Sequence, residues 1–292
     1  MSLSEQPHVP ELLRRYNLHP DKRLGQNFLT DPAALQRVVR AAGVEASDTV
    51  LEIGPGLGSL TRLLARQARQ VVAVELDARL LAPLAEILEP YDNVRIVQGD
   101  ILALDPAGLI LGEVRKNGDL QSTGYLVVAN IPYYITSALI RHLLEAEVKP
   151  ERMILTVQSE VAERITAAPG DMSLLALSVQ VYGRPEVYAH IPAGAFYPTP
   201  KVDSAIVRVE LFPSPVIPPD WLEAFFRLAK AGFSQKRKTL RNAVAGGMRW
   251  SKQEARELLK SAGIDPMRRA ETLSLEEWRN LVKSYLSRDS ES

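Results

Sequence analysis

Short apolar runs alternate with segments of helical spacing through the first half of the chain. Five of these runs are typical of buried β-strands: Thr49–Ile53, Val71–Leu76, Val94–Val97, Tyr125–Ala129 and Met153–Val157. Helices are predicted between them, for example after Asp77, where leucines recur on one face. Because strands that alternate with helices pair in parallel, the pattern predicts an α/β fold with helices on both faces of one sheet.

The pattern changes after Glu160. Two predicted helices, Val161–Thr166 and Leu174–Val181, precede two further strand candidates, Glu186–Ile191 and Ala205–Leu211. Four prolines between residues 213 and 219 then mark a linker. Beyond the linker, four segments predict helices: Trp221–Gly232, Lys238–Ala245, Lys252–Ala262 and Leu275–Leu286.

We therefore divide the chain into an N-terminal extension (residues 1–21), an α/β domain (22–212) and a small all-helical domain (213–292). Asp31 followed by Pro32 predicts the start of a helix that reaches Gly43. Residues 106–124 are rich in glycine and predict an irregular connection, to which we assign no role.

Three glycines, Gly54, Gly56 and Gly58, follow the first predicted strand and precede a helix. Glycine has no Cβ, so the backbone can turn tightly and a ligand can lie against bare peptide. A dinucleotide fingerprint has its glycines at the first, third and sixth positions, whereas here they stand at the first, third and fifth. The spacing does not indicate a pyrophosphate, and a tight turn without a ligand is the alternative.

Polar residues end the next three strands: Glu75, 21 residues after Gly54, then Asp100 and Asn130. In a sheet of this kind, ligands bind beyond the carboxyl ends of the strands. A carboxylate at Glu75 can accept both hydroxyls of a ribose, so a nucleoside ligand is expected. Each residue also has a structural alternative: Glu75 could cap a helix, Asp100 could form an Asx turn, and Asn130 could satisfy loop amides.

The tetrad Asn130-Ile131-Pro132-Tyr133 suits methyl transfer to an adenine amine. The lone pair of that amine is delocalised into the ring, so its nucleophilicity is low. The amide oxygen of Asn130 and a backbone carbonyl held outward by Pro132 could accept its two N–H bonds, and Tyr133 could stack on the base. A buried Asn-Pro turn followed by core aromatics is the alternative.

Composition excludes several kinds of chemistry. The chain has no cysteine, which excludes disulfides, thiolate zinc sites and cysteine nucleophiles, and its four histidines are scattered. We therefore expect no metal. No apolar run approaches the ~20 residues of a membrane span, and the N-terminus has no apolar core of the secretory kind. A cytoplasmic protein without a membrane partner is expected.

Basic residues are concentrated in one segment, although the 35 Lys and Arg of the chain balance its 35 Asp and Glu. Eight basic residues and no acidic ones lie between Arg227 and Lys252. Such a segment favours a phosphate-backbone partner over a merely solvated face. The candidate RNA-binding residues are Lys236, Arg237, Lys238 and Arg241.

Six motifs in order resemble one family, the small-subunit ribosomal RNA adenine dimethyltransferases, between about Leu24 and Tyr285. They are LGQNFLTD (24–31), EIGPGLGSLT (52–61), GDIL (99–102), NIPY (130–133), FYPTPKVDSAIV (196–207) and FSQKRKTLRNAV (233–244). The resemblance implies S-adenosylmethionine (SAM)-dependent dimethylation of two neighbouring adenines in a 3′-terminal hairpin loop of 16S rRNA, and a role in small-subunit biogenesis. It also implies a Rossmann-like catalytic domain over 22–212 and RNA binding by 213–292, in a monomer that acts on immature small subunits.

Carried over by position, the resemblance implies roles for individual residues. Asn27 and Leu29 would close over the methionine end of SAM, and Gly54 would lie against its amino-acid part. Glu75 would hold the ribose, and Asp100 would bond the adenine amine of the cofactor. The full set of expected cofactor-binding residues is Gln26, Asn27, Leu29, Glu52, Gly54, Gly56, Gly58, Glu75, Leu76, Asp100, Ile101 and Asn130.

The expected catalytic residues are Asn130, Ile131, Pro132, Tyr133 and Phe196. Phe196 would sandwich the target base opposite Tyr133, by the same resemblance. Large-subunit rRNA methyltransferases that confer macrolide resistance share the tetrad and are the nearest rival. DNA adenine methyltransferases typically have a second proline in place of Ile131. An assembly factor whose binding matters more than catalysis, and a nicotinamide dehydrogenase, are the remaining alternatives.

Overall fold

The structure, a computed structural model, describes residues 8–110, 124–131 and 135–289. Within these residues, seven strands form one sheet in the order β4-β3-β2-β5-β6-β9-β7. A separate two-stranded sheet pairs β1 with β8. The strands are β1 (Phe28–Leu29), β2 (Thr49–Ile53), β3 (Gln70–Glu75), β4 (Val94–Gln98), β5 (Leu126–Asn130), β6 (Arg152–Gln158), β7 (Gly183–Ile191), β8 (Phe196–Tyr197) and β9 (Ser204–Leu211).

The main sheet is mixed. Strands β4, β3, β2, β5 and β6 are parallel, and β9 is antiparallel to β6. Every residue of the central strand β2 is buried, as expected for a parallel strand covered on both faces. The predicted α/β fold is confirmed, with an antiparallel strand added beside the parallel ones.

Helices flank the sheet and make up most of the last quarter of the chain. They are α1 (Val9–Arg15), α2 (Pro32–Ala42), α3 (Thr61–Ala65), α4 (Leu81–Leu88), α5 (Thr136–Glu145), α6 (Ser159–Ile165), α7 (Leu174–Gln180), α8 (Leu222–Phe233), α9 (Leu240–Met248), α10 (Lys252–Ser261) and α11 (Leu275–Asp289). Residues 106–110 are also helical, so the segment predicted to be irregular begins as a helix. The rest of that segment, residues 111–123, lies outside the described residues.

Local signals explain several helix ends. The Asp31 carboxylate accepts a hydrogen bond from the main-chain N–H of Ala34 at 2.6 Å, and Pro32 is the first residue of α2. This confirms the predicted start of the helix. Asp77 likewise caps a short 3₁₀ segment, Ala78–Leu80, that leads into α4. Gly43 ends α2 in the left-handed conformation.

Contacts divide the chain into two compact units. The sheet unit comprises Met1–Ala162 and Pro185–Leu211, and the helical unit comprises Glu163–Arg184 and Phe212–Ser292. The helical unit therefore includes a segment that precedes β9 as well as the four C-terminal helices. In the sheet unit, Val9 and Leu13 of α1 pack with Phe28, Leu57 and Leu80 in one core cluster.

Close helix contacts build the core of the helical unit. A Cβ on Gly247 of α9 would lie 2.5 Å from the Cα of Ala231 in α8, so glycine permits the approach of these two helices. The indole of Trp278 is fully buried and stacks against Phe233, with ring centroids 5.9 Å apart. Among the described residues, no helix is both long enough and apolar enough to cross a membrane.

Candidate functional site

A cleft lies at the carboxyl ends of the parallel strands of the sheet unit. Its walls come from the ends of β2, β3 and β5, from the turn after β4, and from residues 24–29. Of the predicted cofactor-binding residues, those that line it are Gln26, Asn27, Leu29, Glu52, Gly54, Gly56, Glu75, Leu76, Asp100, Ile101 and Asn130. The structure therefore brings together residues that are separated by up to a hundred positions in the chain.

Glu75 is buried at the end of β3, and two main-chain donors hold its carboxylate. The N–H of Gly56 donates to Oε2 at 3.1 Å, and the N–H of Asp77 donates to Oε1 at 2.8 Å. Burial raises the pKa of Glu75, and the hydrogen bonds partly oppose that rise. Each carboxylate oxygen retains a further lone pair, so the group can accept hydroxyl donors from a ligand in the cleft.

The three glycines have different roles. Gly54, at a φ of +73°, lines the cleft, and a Cβ there would lie 3.5 Å from the main-chain oxygen of Asn130. Gly56 also lines the cleft, and a Cβ there would meet the ring of Phe28 at 2.9 Å. Gly58 does not line it, because it faces Leu84 of α4.

Glu52 is a buried carboxyl group in the wall of the cleft. Its side chain is 1% exposed, and Oε2 has no hydrogen-bond partner among the described residues. Burial raises the pKa of Glu52 to about 8; the Thr61 hydroxyl opposes this rise and the negative charge of Glu75 adds to it. The carboxyl group is therefore largely neutral at pH 7, and a positive ligand group beside Oε2 would lower its pKa and ionise it, so the cleft can accept a ligand with a positive group.

Asp100, Ile101 and Leu76 form the wall on the β3–β4 side. Asp100 is exposed, and its Oδ1 accepts the N–H of Leu102 at 2.9 Å, so the Asx turn considered as an alternative is present. Among the described residues, no hydrogen-bond donor reaches its second carboxylate oxygen. Leu76 is 46% exposed and Ile101 is buried. These two apolar side chains with one carboxylate suit a flat heterocycle that carries an amine.

Asn130 ends β5, and its side chain is oriented by the segment on the opposite side of the cleft. Nδ2 donates to the main-chain oxygen of Asn27 at 3.1 Å. Because a carbonyl oxygen can only accept, the NH₂ end of the Asn130 amide must face Asn27. The Oδ1 end is therefore left to accept hydrogen bonds from another group. The Ile131 side chain is buried in the cleft wall, whereas Pro132 and Tyr133 lie outside the described residues.

Residues 24–29 line the cleft, and the two-stranded sheet formed by β1 and β8 holds their C-terminal end. Phe28 pairs with Tyr197 and Leu29 pairs with Phe196, so the LGQNFLTD and FYPTPKV motifs lie side by side. The N–H of Thr30 extends this contact by donating to the oxygen of Ala195 at 2.9 Å.

Phe196 does not line the cleft. It is 4% exposed and packs in a core cluster that also contains Leu29, Ile191 and Ile206. Its neighbour Tyr197 is 41% exposed. Tyr133 lies outside the described residues, so the expected sandwich of a base between Phe196 and Tyr133 stays a prediction.

Three of the four candidate RNA-binding residues lie on the connection between α8 and α9, residues 234–239, here called the basic loop. Lys236, Arg237 and Lys238 are exposed, whereas Arg241 is half-buried in α9. The Nε of Arg241 has no hydrogen-bond partner among the described residues. Main-chain hydrogen bonds tie the start of α9 to a second loop, from Leu240 N to Arg268 O at 2.7 Å.

Several residues of the cleft were missed by the sequence prediction. Phe28, Pro55, Leu57, Leu80 and Ile135 contribute apolar surface to it. Phe28 belongs to the LGQNFLTD motif, and that motif was the sequence signal that could have identified it as a cleft residue. No sequence signal indicated Ile135. Within the described residues, no three or more His, Asp or Glu side chains are grouped so that they could bind a metal ion.

Comparison with known protein families gives one description over nearly the whole chain. The model of the family described as "Ribosomal RNA adenine dimethylase" matches residues 18–286. The chain is 50% identical over 276 residues to "Ribosomal RNA small subunit methyltransferase A" of Dehalococcoides mccartyi, covering 94% of this chain and 91% of that protein. It is 42% identical to the protein of the same name from Moorella thermoacetica, covering 94% of this chain and 95% of that one.

Two solved structures are similar in fold along most of their length. A dimethyladenosine transferase from Plasmodium falciparum superposes with a TM-score of 0.75 at 25% identity, covering 90% of this chain and 98% of that one. The 23S rRNA methyltransferase ErmE superposes with a TM-score of 0.69 at 29% identity, covering 88% and 99%.

Proposed function

Because the chain belongs to the ribosomal RNA adenine dimethylase family, we propose that it dimethylates the N6 amines of two adjacent adenines in a 3′-terminal hairpin loop of 16S rRNA, with SAM as the methyl donor. As a member of this family it is an rRNA adenine dimethyltransferase. The identity of the target RNA, the identity of the cofactor and the roles of individual residues are proposals.

The cleft fits SAM in charge and in shape. The Glu75 carboxylate, held by two main-chain donors, would accept the ribose hydroxyls. The unpaired Oε2 of Glu52 would meet the positive methionine end, and Gly54 leaves bare peptide beside it. Leu76, Ile101 and Asp100 would hold the adenine ring and its amine. When bound, SAM supplies an electrophilic methyl group on a positively charged sulfur.

The orientation of Asn130 carries the proposal. With its Nδ2 bonded to the Asn27 carbonyl, its Oδ1 is the end available to accept an N–H of the target adenine. Accepting that bond would orient the amine and stabilise the charge that develops on nitrogen in the transition state. A strong base is not needed, since the proton leaves easily once the nitrogen is methylated. In-line positioning accounts for most of the rate, roughly 7–11 kcal/mol in favourable cases.

Similarity supports the small-subunit target over the large-subunit one. The chain is 50% identical to a protein named as a small-subunit methyltransferase, and 29% identical to a 23S rRNA methyltransferase. We therefore expect a monomeric cytoplasmic enzyme that acts on immature small subunits without a metal ion. The basic loop would contact the RNA backbone through Lys236, Arg237 and Lys238. The half-buried Arg241 of α9 would add its positive charge to theirs.

The test is incubation of immature small subunits and, in a separate reaction, of 23S rRNA with labelled SAM, followed by analysis of the RNA nucleosides. The wild-type protein should give N6,N6-dimethyladenosine in 16S rRNA and none in 23S rRNA. Asn130→Ala should abolish the product while SAM binding persists. Asn280→Ala, an exposed asparagine on α11, is the matched control and should retain full activity. Product in 23S rRNA alone would transfer the assignment to the large-subunit class.

A second candidate is an assembly factor in which binding matters more than catalysis. The three exposed basic residues of the basic loop, in a segment without acidic residues, favour it. A Glu75→Ala variant that fails to bind SAM but still associates with immature subunits and supports their maturation would establish that role. If this variant fails to support maturation of the subunits, the biological role depends on catalysis.

A further inference from the structure

The segment from Asp21 to Asn27, here called the 21–27 loop, borders the cleft and has a fixed local structure. The Asp21 carboxylate caps a turn of 3₁₀ helix, Lys22–Leu24, by accepting the N–H of Arg23 at 2.8 Å. Gly25 ends the turn in the left-handed conformation at a φ of 62°. The side chain of Asn27 then donates to the oxygen of Gly25 at 3.1 Å.

Gln26 was expected to bind the cofactor, but both ends of its amide have protein partners. Its Oε1 accepts the main-chain N–H of Asp21 at 2.8 Å. Its Nε2 donates to Oδ2 of Asp77 at 2.8 Å, across 51 residues of sequence. The amide of Gln26 thus joins the 21–27 loop to the end of β3.

Asp77 is a firm attachment point for this bond. Its Oδ1 accepts the N–H of Arg79 at 3.1 Å, and the Arg79 guanidinium contacts both carboxylate oxygens at 2.8 and 2.7 Å. These bonds with Arg79, assisted by the one from Gln26, lower the pKa of Asp77 to about 2. Asp77 is therefore charged at any working pH, and its hydrogen bond to Gln26 does not vary with pH.

The other end of the 21–27 loop contacts Asn130. The residue after Gln26 is Asn27, and its main-chain oxygen accepts Nδ2 of Asn130 at 3.1 Å. The bond between Gln26 and Asp77 fixes the backbone immediately before that oxygen. Hydrogen bonds therefore join Arg79 to Asp77 and Asp77 to Gln26, the backbone leads from Gln26 to Asn27, and a last hydrogen bond joins Asn27 to the Asn130 amide.

We propose that Gln26 and Asp77 are positioning residues for methyl transfer: their hydrogen bond holds the 21–27 loop so that the Asn27 carbonyl orients the Asn130 amide. Neither side chain touches the target amine. The inference rests on the proposed role of Asn130 and assigns Asp77, which does not line the cleft, a role in the rate. Misplacement of a reacting geometry by about 1 Å can lower a rate a hundredfold, so the effect is measurable.

Three substitutions separate this role from cofactor binding and from helix capping. Gln26→Met keeps the size of the side chain and removes both hydrogen bonds. Asp77→Ser keeps an N-cap oxygen for Arg79 N but is too short to reach Gln26. Asp77→Asn has one acceptor oxygen in place of two, so it can keep the bond to Arg79 N or the bond to Gln26 but not both. Gln67→Met, at an exposed glutamine outside the cleft, is the matched control.

The measurement is single-turnover methyl transfer at saturating SAM and RNA, with the SAM dissociation constant determined separately. Gln26→Met and Asp77→Ser should each slow transfer at least about tenfold and change SAM affinity less than the rate. Gln67→Met should stay near the wild-type rate, and Asp77→Asn should lie between Gln67→Met and Asp77→Ser.

Two results would overturn the inference. Weaker SAM binding by Gln26→Met with an unchanged rate at saturation would make Gln26 a cofactor contact. Wild-type rates in both Gln26→Met and Asp77→Ser would leave the bond without a role in transfer. Either result requires an active wild-type enzyme. A wild-type protein that does not methylate 16S rRNA would instead contradict the proposed function itself.

Discussion

The ring of Phe28 occupies the space into which a side chain on Gly56 would project. A Cβ built on Gly56 lies 2.9 Å from Cδ1 and 3.0 Å from Cε1 of that ring, and Gly56 has a φ of +58°. The glycine turn and the LGQNFLTD motif are therefore fitted to each other in the cleft wall. Position 56 requires glycine because a Cβ would collide with the Phe28 ring, and also because a ligand in the cleft needs the space.

We expect Gly56→Ala to destabilise the protein and to weaken SAM binding. The left-handed backbone costs a residue with a Cβ roughly 1–2 kcal/mol, and the Phe28 ring must move away from the new methyl group. Since Phe28 and Gly56 both line the cleft, SAM affinity should fall by roughly tenfold, or about 1.4 kcal/mol. Chemical denaturation and calorimetric titration measure the two effects.

Gly58→Ala is the matched control for this substitution. Gly58 also has a positive φ, +76°, but it faces the flexible end of Leu84 and does not line the cleft. It should lose similar stability and keep its SAM affinity. If both variants lose the same SAM affinity, the loss is caused by backbone strain in the glycine turn, and the contact with Phe28 does not contribute to it.

Glu52 predicts a pH-dependent stability. Because burial raises the pKa of Glu52 from 4.5 to about 8, the folded protein holds one proton more than the unfolded chain between these values. Its contribution is fully present below about pH 4.5 and is lost as the pH rises through 8, with a slope of at most about 1.4 kcal/mol per pH unit. Glu52→Gln should remove that slope.

Denaturation of both proteins between pH 5 and pH 9 measures this contribution. The free energy of unfolding of Glu52→Gln should exceed that of the wild type most at the alkaline end, and the difference should shrink toward pH 5. A difference that is independent of pH would mean that Glu52 is ionised throughout the range in the folded protein.

Arg152 predicts a loss of stability without a loss of activity. Its Nη1 donates to the oxygen of Ala42 at the end of α2 at 2.6 Å, and its Nε contacts Glu210 of β9 at 2.7 Å. Arg152→Met would leave the Ala42 oxygen without this donor, at a cost of about 1–3 kcal/mol. Single-turnover methylation at 20 °C below the melting temperature should be unchanged, and a slower rate would connect Arg152 to the cleft.

The strands and their polar ends could be predicted because the signals are local. Glu75 and Asn130 directly follow apolar residues, Asp100 comes three residues after Val97, and parallel strands bring their carboxyl ends to one edge. Asp31 and Pro32 mark a helix start for the same reason, since the cap bonds a residue three positions away.

Contacts between distant segments could not be predicted in this way. No pattern near Gln26 shows that its amide meets Asp77, and none near Phe196 shows that β8 buries its ring. Gly58 continues the spacing of Gly54 and Gly56, yet it faces Leu84 of α4 and does not line the cleft. The grouping of Glu163–Arg184 with the helical unit likewise depends on tertiary packing.

The basic loop predicts a salt-dependent affinity for RNA. Each exposed cation that meets a phosphate releases a counterion, so replacing Lys236, Arg237 or Lys238 by alanine should reduce the slope of log K against log[salt] by about one unit. Arg241 is half-buried, so its replacement should lower stability as well as affinity. Filter binding of a 16S rRNA fragment at several salt concentrations measures the slopes.

The control for the basic loop is Lys149→Ala, in the sheet unit. The Lys149 side chain is exposed and donates to the oxygen of Ala146 at 3.3 Å, so its removal takes away one positive charge from the other unit of the chain. If only net charge matters, this variant will reduce the slope as much as Lys236→Ala does. If the basic loop meets phosphates directly, Lys149→Ala will keep the wild-type slope, because a charge that displaces no condensed counterion contributes none to it.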